Sequence, residues 1–170
     1  MLIKKTKGFI SPDFLIRKAT KPWEFLGSDE LRYRTFVMEQ GIFEYHDRDE
    51  IDKDMMPIVA ISTLASEAYE VVGTVRIHEA EKGVWWGSRL SVAVSHRRVG
   101  LLGPELIRFA VGTARHYGCH LFLAHVQLRA VAAVTPGDEG NRHPHHVAER
   151  PDLSRVRVTG QLQIHVLPRG

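Results

Sequence analysis

Along residues 102–117, apolar positions recur at intervals of three and four. Leu102, Leu106, Phe109, Ala110, Thr113 and Tyr117 form one stripe, with Arg108, Arg115 and His116 mostly off it. That period predicts an amphipathic helix. Pro104 stands where a first helical turn tolerates a missing N–H, and Glu105 follows where a negative charge is favourable. On either side the pattern shifts to short apolar runs, at residues 90–94 and 121–127, which predict strands. Between the first strand and the helix lies Ser95-His96-Arg97-Arg98-Val99-Gly100-Leu101-Leu102-Gly103. A strand that feeds a basic, glycine-containing turn and then a helix presents backbone N–H groups to a phosphate.

Upstream, residues 14–18 predict a first strand after a turn at Ser11-Pro12-Asp13. Pro22, the acidic Asp29 and Glu30, and then Leu31, Phe36 and Val37 predict one or two short helices within residues 21–41, ending near Gly41. Residues 43–55 are dominated by charge and end at Pro57, which makes them a loop leading to a strand at 58–63. A turn near Glu67 and Ala68 and a return strand at 71–77 complete a hairpin, and Gly83 separates it from a segment beginning at Val84. Short turns imply antiparallel neighbours, whereas the helix permits a parallel crossover to residues 121–127. The expected fold class is α/β, with a mixed, mostly antiparallel central sheet and helices on both faces.

Residues 1–134 form the expected core. Beyond Leu128, proline, glycine and the histidines His143, His145 and His146 interrupt any period, so residues 135–152 are expected to be a loop or disordered segment. Val156, Val158, Leu162, Ile164 and Val166 alternate with polar residues, which suits a strand or hairpin in residues 153–170 turning at Thr159-Gly160. Its place in the fold is left open.

Composition narrows the function classes. At 170 residues the chain has room for one substantial core. A net charge of +3, spread over small basic clusters, is too weak a field to argue for nucleic acid. Arg97 and Arg98 coincide with the phosphate-presenting turn, which favours a phosphate-bearing small molecule. No apolar run approaches the roughly 18–20 residues of a membrane span, and the basic N-terminus lacks the apolar block of a signal peptide. The expectation is a cytoplasmic protein without a membrane partner. The single Cys119 excludes an internal disulfide framework and reads as packing, and the histidine run fits no strong metal motif, so no metal site is expected.

The turn at residues 97–102 resembles that of the acyl-CoA-dependent N-acetyltransferase (GNAT) superfamily, whose pattern is Gln or Arg, two residues, Gly, one residue, then Gly or Ala. Arg97 and Gly100 match the first and fourth positions; the last position is Leu102, with Gly103 one residue later. The resemblance implies acetyl-CoA or another acyl-CoA as cofactor. Its pyrophosphate would lie against the N–H groups of Arg98, Val99, Gly100, Leu101, Leu102 and Gly103, with charge from Arg97 and Arg98. The pantetheine arm would run along the preceding strand at residues 92–95, including Val92 and Val94. The segments YRTFVMEQGIFEYHDRDEID, VVGTVRI and WWGSRLSV resemble a little-characterised bacterial family of acetyltransferase-like domains.

A discontinuous match over residues 32–92 resembles acyl-homoserine-lactone synthases, which share the acetyltransferase fold. It comprises Arg32-x-x-x-Phe36, the acidic run with Asp49 and Asp52, Val72-Gly73-x-x-Arg76, and Trp86-x-Ser88-Arg89-Leu90. The resemblance implies that Arg32, Phe36, Asp49, Asp52, Arg76, Trp86 and Arg89 bind substrate. Those synthases carry a glutamate ahead of their serine-arginine pair, where this chain has Trp86-Gly87, and the loss argues against lactone formation.

Acyl transfer from a thioester needs a neutral amine, a polarised carbonyl and both held at reacting distance. His78 and Glu79, at the end of the strand carrying Arg76, are the first candidate bases, followed by Asp49 and Asp52. The acidic run beside Arg32 and Arg34 would recognise a cationic amine, brace the arginines or form a solvated loop. Arg76 and Arg89 lie on predicted strands: facing inward, each requires an anionic or carbonyl partner, and facing outward each is a surface residue. Trp85 and Trp86 cannot face the same side of a regular strand, so one is core and the other lines a cleft or packs on the sheet.

After His125-Val126-Gln127 the chain departs from the resembling families, and the helix that carries their tyrosine acid is not recognisable. Two classes of function follow. One is N-acetyl or N-acyl transfer to the amine of a small molecule or protein, with lactone-synthase-like chemistry as a variant. The other is an acyl-CoA-binding or regulatory protein without turnover. The resemblance also implies a fold that commonly dimerises, so a homodimer is one reading of the assembly.

Overall fold

The computed structural model describes residues 9–10, 14–64, 67–99, 101–124, 156–159 and 163–166. Strands β1 (Phe9–Ile10), β2 (Phe14–Lys18), β3 (Met56–Leu64), β4 (Glu67–Glu81), β5 (Val84–Val92), β6 (Leu121–Ala124), β7 (Val156–Thr159) and β8 (Gln163–Val166) form one sheet. Their order is β1-β2-β3-β4-β5-β6-β8-β7. All neighbours are antiparallel except β5 and β6, which helix α2 (Leu102–His116) joins as a parallel crossover. Helix α1 (Pro22–Tyr33) and a π-helical turn, Arg34–Glu39, precede the charged loop. The mixed sheet and the parallel crossover agree with the sequence. The segment at residues 135–152 and the turn at Ser11-Pro12-Asp13 lie outside the described residues.

Local chemistry explains where α1 begins and ends. Pro22 opens it, and the fully buried Glu24 carboxylate accepts the Thr20 N–H at 2.7 Å and the Lys21 N–H at 3.2 Å while pairing with Arg17. That satisfies donors that a first turn leaves without intrahelical partners. After the π-helical turn, Gly41 takes φ +59°, a left-handed conformation that ends the helix cheaply.

The two faces of the sheet differ. On one, α2 buries Leu102, Leu106, Ile107, Ala110, Val111 and Ala114 against apolar residues of β2–β5. The buried stripe is wider than the periodic reading: Ile107, Val111 and Ala114 join it, whereas Tyr117 is exposed. Gly73 allows the close approach, since a Cβ there would lie 2.8 Å from Leu106 Cδ1 and 3.2 Å from Ala60 Cβ. On the other face α1 packs on β4, and hydroxyls meet in pairs, Ser28 with Thr74 at 2.6 Å and Thr35 with Ser91 at 2.5 Å.

β5 corrects one expectation. It runs as a single strand from Val84 to Val92, whereas the apolar pattern predicts a segment from Val84 followed by a separate strand at residues 90–94. Val94 instead begins a 3-10 helix, Val94–Val99, that leads into α2. The physical reason is a bulge. Thr74 pairs with Ser91 and Arg76 with Ser88, so Arg89 and Leu90 together face Val75 and alternation breaks there. Arg89 has φ 55°, the one non-glycine residue with positive φ among the described residues.

Candidate functional site

The parallel pairing of β5 with β6 covers Val84↔Leu121, Trp85↔Phe122, Trp86↔Leu123 and Gly87↔Ala124. The described part of β6 ends at Ala124, the partner of Gly87. At that point a small apolar cleft lies between the sheet and α2, lined by Val75, Gly87, Leu90, Ile107, Ala110 and Phe122. Gly87 keeps it narrow, because a Cβ there would lie 2.9 Å from Phe122 Cζ. The bulge at Arg89 and Leu90 is adjacent in the strand, and the 3-10 helix and α2 follow at the strand's end.

Val92 faces away from β4 in its backbone polarity. The next residue, Ala93, donates its N–H to Val72 O at 2.8 Å, and alternation along the strand points Val92 N–H and C=O to the other edge. The Val92 carbonyl accepts Arg97 Nε at 2.8 Å. The Arg97 guanidinium also pairs with Glu39 at the end of the π-helical turn. That hydrogen bond raises the pKa of Arg97 and lowers that of Glu39. Leu101, the residue that precedes α2, makes no side-chain hydrogen bond to its first turn. Val94 is exposed. Gly100 lies outside the described residues, and Arg98 and Val99 end the 3-10 helix.

Of the residues expected to bind substrate, Arg32, Asp49, Asp52, Arg76 and Arg89 converge on the polar face of the sheet, where they bind one another with Phe36 beside Arg89, whereas Trp86 lies opposite His78. Arg32, 1% exposed, donates from Nε to Asp47 Oδ2 at 2.6 Å and from Nη1 to Asp52 Oδ1 at 2.6 Å. Arg76, 2% exposed, donates from Nη1 to Asp49 Oδ1 at 2.6 Å and Asp52 Oδ2 at 3.0 Å, and from Nε to Ser88 Oγ at 3.0 Å. Arg89 donates from Nε and Nη2 to the Asp47 carbonyl at 3.3 and 3.1 Å and pairs through Nη2 with Asp49 at 3.3 Å. Its guanidinium lies 4.5 Å from the centroid of Phe43 and 5.9 Å from that of the buried Phe36.

Arg76 and Arg89 thus face inward and find anionic partners. Burial works against ionisation of Asp52, but hydrogen bonds from Arg32 and the Asp49 N–H, with the charges of Arg32 and Arg76, hold its pKa well below the usual aspartate value. Asp49 is lowered in the same way, burial being outweighed by Arg76 and Arg89. Asp47, which sequence reasoning placed in the acidic run but not among the site residues, is the buried centre that joins Arg32 to Arg89. Its place before Arg48 gives no local signal of that role; only the fold brings positions 32, 47 and 89 together.

His78 and Glu79 differ in environment. The carboxylate of Glu79 accepts the Gly83 N–H at 2.7 Å and braces the β4–β5 turn. His78 is half-buried opposite Trp86, and its Nδ1 is buried without a hydrogen-bond partner. Burial, then the charge of Arg76, lower its pKa, so its imidazole is neutral near pH 7. Trp85 is the core tryptophan, stacked on Tyr117 at 5.9 Å, and the half-buried Trp86 occupies the opposite face. Cys119 has its thiol pKa pushed up by burial, which leaves it unactivated.

No helix among the described residues is long and apolar enough to cross a membrane. No curated protein matches the chain significantly. Solved structures do. A Lactobacillus plantarum protein assigned to the N-acetyltransferases is 18% identical, with 90% of this chain and 97% of that chain covered at a TM-score of 0.62. An acyl-CoA N-acyltransferase from Pseudomonas aeruginosa is 20% identical over 69% of this chain and 80% of that chain, with a TM-score of 0.54. A GNAT family acetyltransferase from Brucella melitensis, solved in complex with acetyl-CoA, is 22% identical over 68% and 77% of the two chains, with a TM-score of 0.51. At these identities the likeness is one of fold. The resemblance to acyl-homoserine-lactone synthases rests on the sequence alone. Residues 20–134, well over half of the chain, match the profile of the Acetyltransferase (GNAT) family. With the mixed sheet, the parallel crossover from β5 to β6 and the strand-turn-helix order at residues 84–116, that match shows that the chain belongs to the acetyltransferase (GNAT) family.

Proposed function

We propose that this chain transfers an acetyl or other acyl group from coenzyme A to the amine of a small molecule or protein. The observation that carries the reading is the strand-turn-helix order at residues 84–116, with a small apolar cleft between β5 and α2 beside it. This geometry suits the parts of an acyl-CoA. The outward backbone of Val92 offers a strand edge to an amide-bearing arm, N–H groups at the start of α2 favour a pyrophosphate, and the cleft, with room for about one water as it stands, must widen to take an acyl group. For Val92 O to bond such an arm, Arg97 must leave it, and for its guanidinium to reach the phosphates it must leave Glu39 as well.

Coenzyme A supplies an activated thioester, so the protein's tasks are to orient it, stabilise the developing oxyanion and take a proton from the amine. His78 is the base favoured by its environment, because it is neutral and its Nδ1 has no partner. Glu79, Asp49 and Asp52 are each committed to other groups. Their commitment is also the observation that favours a second reading, an acyl-CoA-binding protein without turnover.

Calorimetry with acetyl-CoA and free CoA, on the protein and on a variant carrying Arg97→Ala and Gly100→Val, tests the first step. Micromolar binding that the variant loses supports the phosphate turn, and absence of binding to either ligand ends both readings. An amine panel then separates them: product supports the enzyme, and binding without product supports the second reading.

A further inference from the structure

We infer that Arg89 is a positioning residue whose pairs with Asp47 and Asp49 hold the β5 bulge in the shape that presents its backbone to the acyl carbonyl. The inference rests on the acyltransferase reading and deepens it. Four observations lead to it.

Arg89 adopts φ 55°, which L side chains adopt at a cost, so something must hold it there. The bulge places Arg89 and Leu90 opposite the single residue Val75, and one residue of such a pair is left out of the ladder with β4. Leu90 and Val75 line the apolar cleft, so the bulge borders the proposed acyl site. Finally, the Arg89 side chain is fixed at its far end. Its guanidinium meets the Asp47 carbonyl, Asp47 Oδ2 at 3.2 Å and Asp49 Oδ2 at 3.3 Å, over the ring of Phe43.

Those aspartates are themselves fixed. Arg32 holds Asp47, Arg76 holds Asp49, and Asp52 bridges Arg32 and Arg76. Asp29 lies 3.9 Å from Arg32 and pairs with Arg48, so four cations and four anions balance. That balance decides between the open alternatives for the acidic run: it braces the arginines. A buried ion network adds little stability over an apolar packing of the same volume, and the opposite face of the sheet shows that this fold packs apolar residues well. What the network supplies is a fixed geometry, and its one strained member is the residue at the bulge.

The test compares acetyl-CoA with free CoA, because the two ligands differ at the thioester carbonyl that the bulge would contact. In the wild-type protein we expect acetyl-CoA to bind about three- to tenfold more tightly, the worth of one net hydrogen bond. The infrared carbonyl band of bound 13C-labelled acetyl-CoA should shift to lower frequency. Arg89→Ala should bring the affinity ratio near one and reverse the band shift while leaving the affinity for free CoA within about twofold. Arg89→Gly, which removes the side chain but adopts positive φ without strain, should retain part of both signals. If Arg89→Ala does not fold, Arg89→Lys replaces it, since an ammonium keeps the charge but not the fork that engages both Asp47 and Asp49.

Loss of affinity for both ligands by the same factor would mean a merely structural role and overturn the inference. So would equal wild-type affinities with an unshifted band, or a ratio and band shift that survive in Arg89→Ala, or in Arg89→Lys where that variant replaces it. A wild-type protein that binds neither ligand overturns the acyltransferase reading itself, which is a different result from discrimination that persists without Arg89.

Discussion

The two faces of the central sheet are built from opposite materials. Toward α2, the faces of β2 to β4 present Phe14, Ile16, Ile58, Ala60, Val75 and Ile77, and the helix fills the space with aliphatic side chains. Toward α1 and the charged loop, β4 and β5 present Thr74, Arg76, Arg89 and Ser91, and each finds a polar partner. The first face is held by volume and tolerates exchange of one apolar shape for another. The second is held by direction, since a hydrogen bond or ion pair in a buried place must be made well or not at all. The bulge and the proposed acyl site lie on the strand that borders both.

The largest expected effect comes from removing a charge at the centre of the polar face. Arg32→Ala leaves Asp47 and Asp52 without the partner that lies 2.6 Å from each. Breaking a buried pair in this way costs about 3–5 kcal/mol, and urea denaturation should show it as a fall in midpoint. A loss below about 1 kcal/mol would place the network in water and erase the contrast between the faces.

A change on the apolar face acts through space instead. Gly73→Val puts a Cβ 2.8 Å from Leu106 Cδ1 and 3.2 Å from Ala60 Cβ, with two methyls beyond it. Overpacking of this kind costs about 1–3 kcal/mol, and Leu106→Ala in the same chain should recover part of it. Denaturation of the two single variants and the double variant gives the coupling. Simple additivity would mean that α2 shifts away as a body.

Acid should separate the faces again. Asp49 and Asp52 have pKa values in the folded protein below those in the unfolded chain. As pH falls below the ordinary aspartate value of about 3.9, the unfolded chain takes up protons first, and the stability that these groups contribute above that pH is progressively lost. Asp49→Asn should flatten this dependence between pH 5 and about pH 2, while Leu106→Ala lowers stability without changing its slope. Parallel slopes for the wild type and Asp49→Asn would show that other carboxylates govern acid unfolding.

This contrast also explains what the sequence makes legible. The period of residues 102–117 identifies α2, and the pattern of residues 14–18 identifies β2, because apolar burial leaves a repeating mark on the chain. The two tryptophans separate to opposite faces as alternation requires. Alternation fails at Arg89, and with it the extent of β5, because a bulge is a two-residue event whose cause lies in a loop forty positions away. The inward direction of Arg76 and Arg89 is likewise invisible locally, as is the pairing of Arg97 with Glu39 across 58 residues. The buried Glu24 carboxylate carries a faint signal, an acidic residue just after Pro22, whereas the hydroxyl pairs carry none.

The smallest predicted effect tests those hydroxyls. Ser28 Oγ and Thr74 Oγ1 are 2.6 Å apart, and both residues are buried. Ser28→Ala leaves the Thr74 hydroxyl without this partner and should cost about 1 kcal/mol in denaturant titration. Thr74→Val, which keeps the side-chain shape, should cost a similar amount. The double variant should recover most of the loss, because removing both polar groups leaves neither unsatisfied. Recovery would mean that this part of the polar face is exchangeable for an apolar one, as the α2 side of the sheet already is, and that only the arginine–aspartate lattice has a geometry the fold cannot obtain from packing. If the double variant instead loses the sum of both single changes, the hydroxyl pair belongs with the lattice, and α1 is registered on β4 by direction along its whole length.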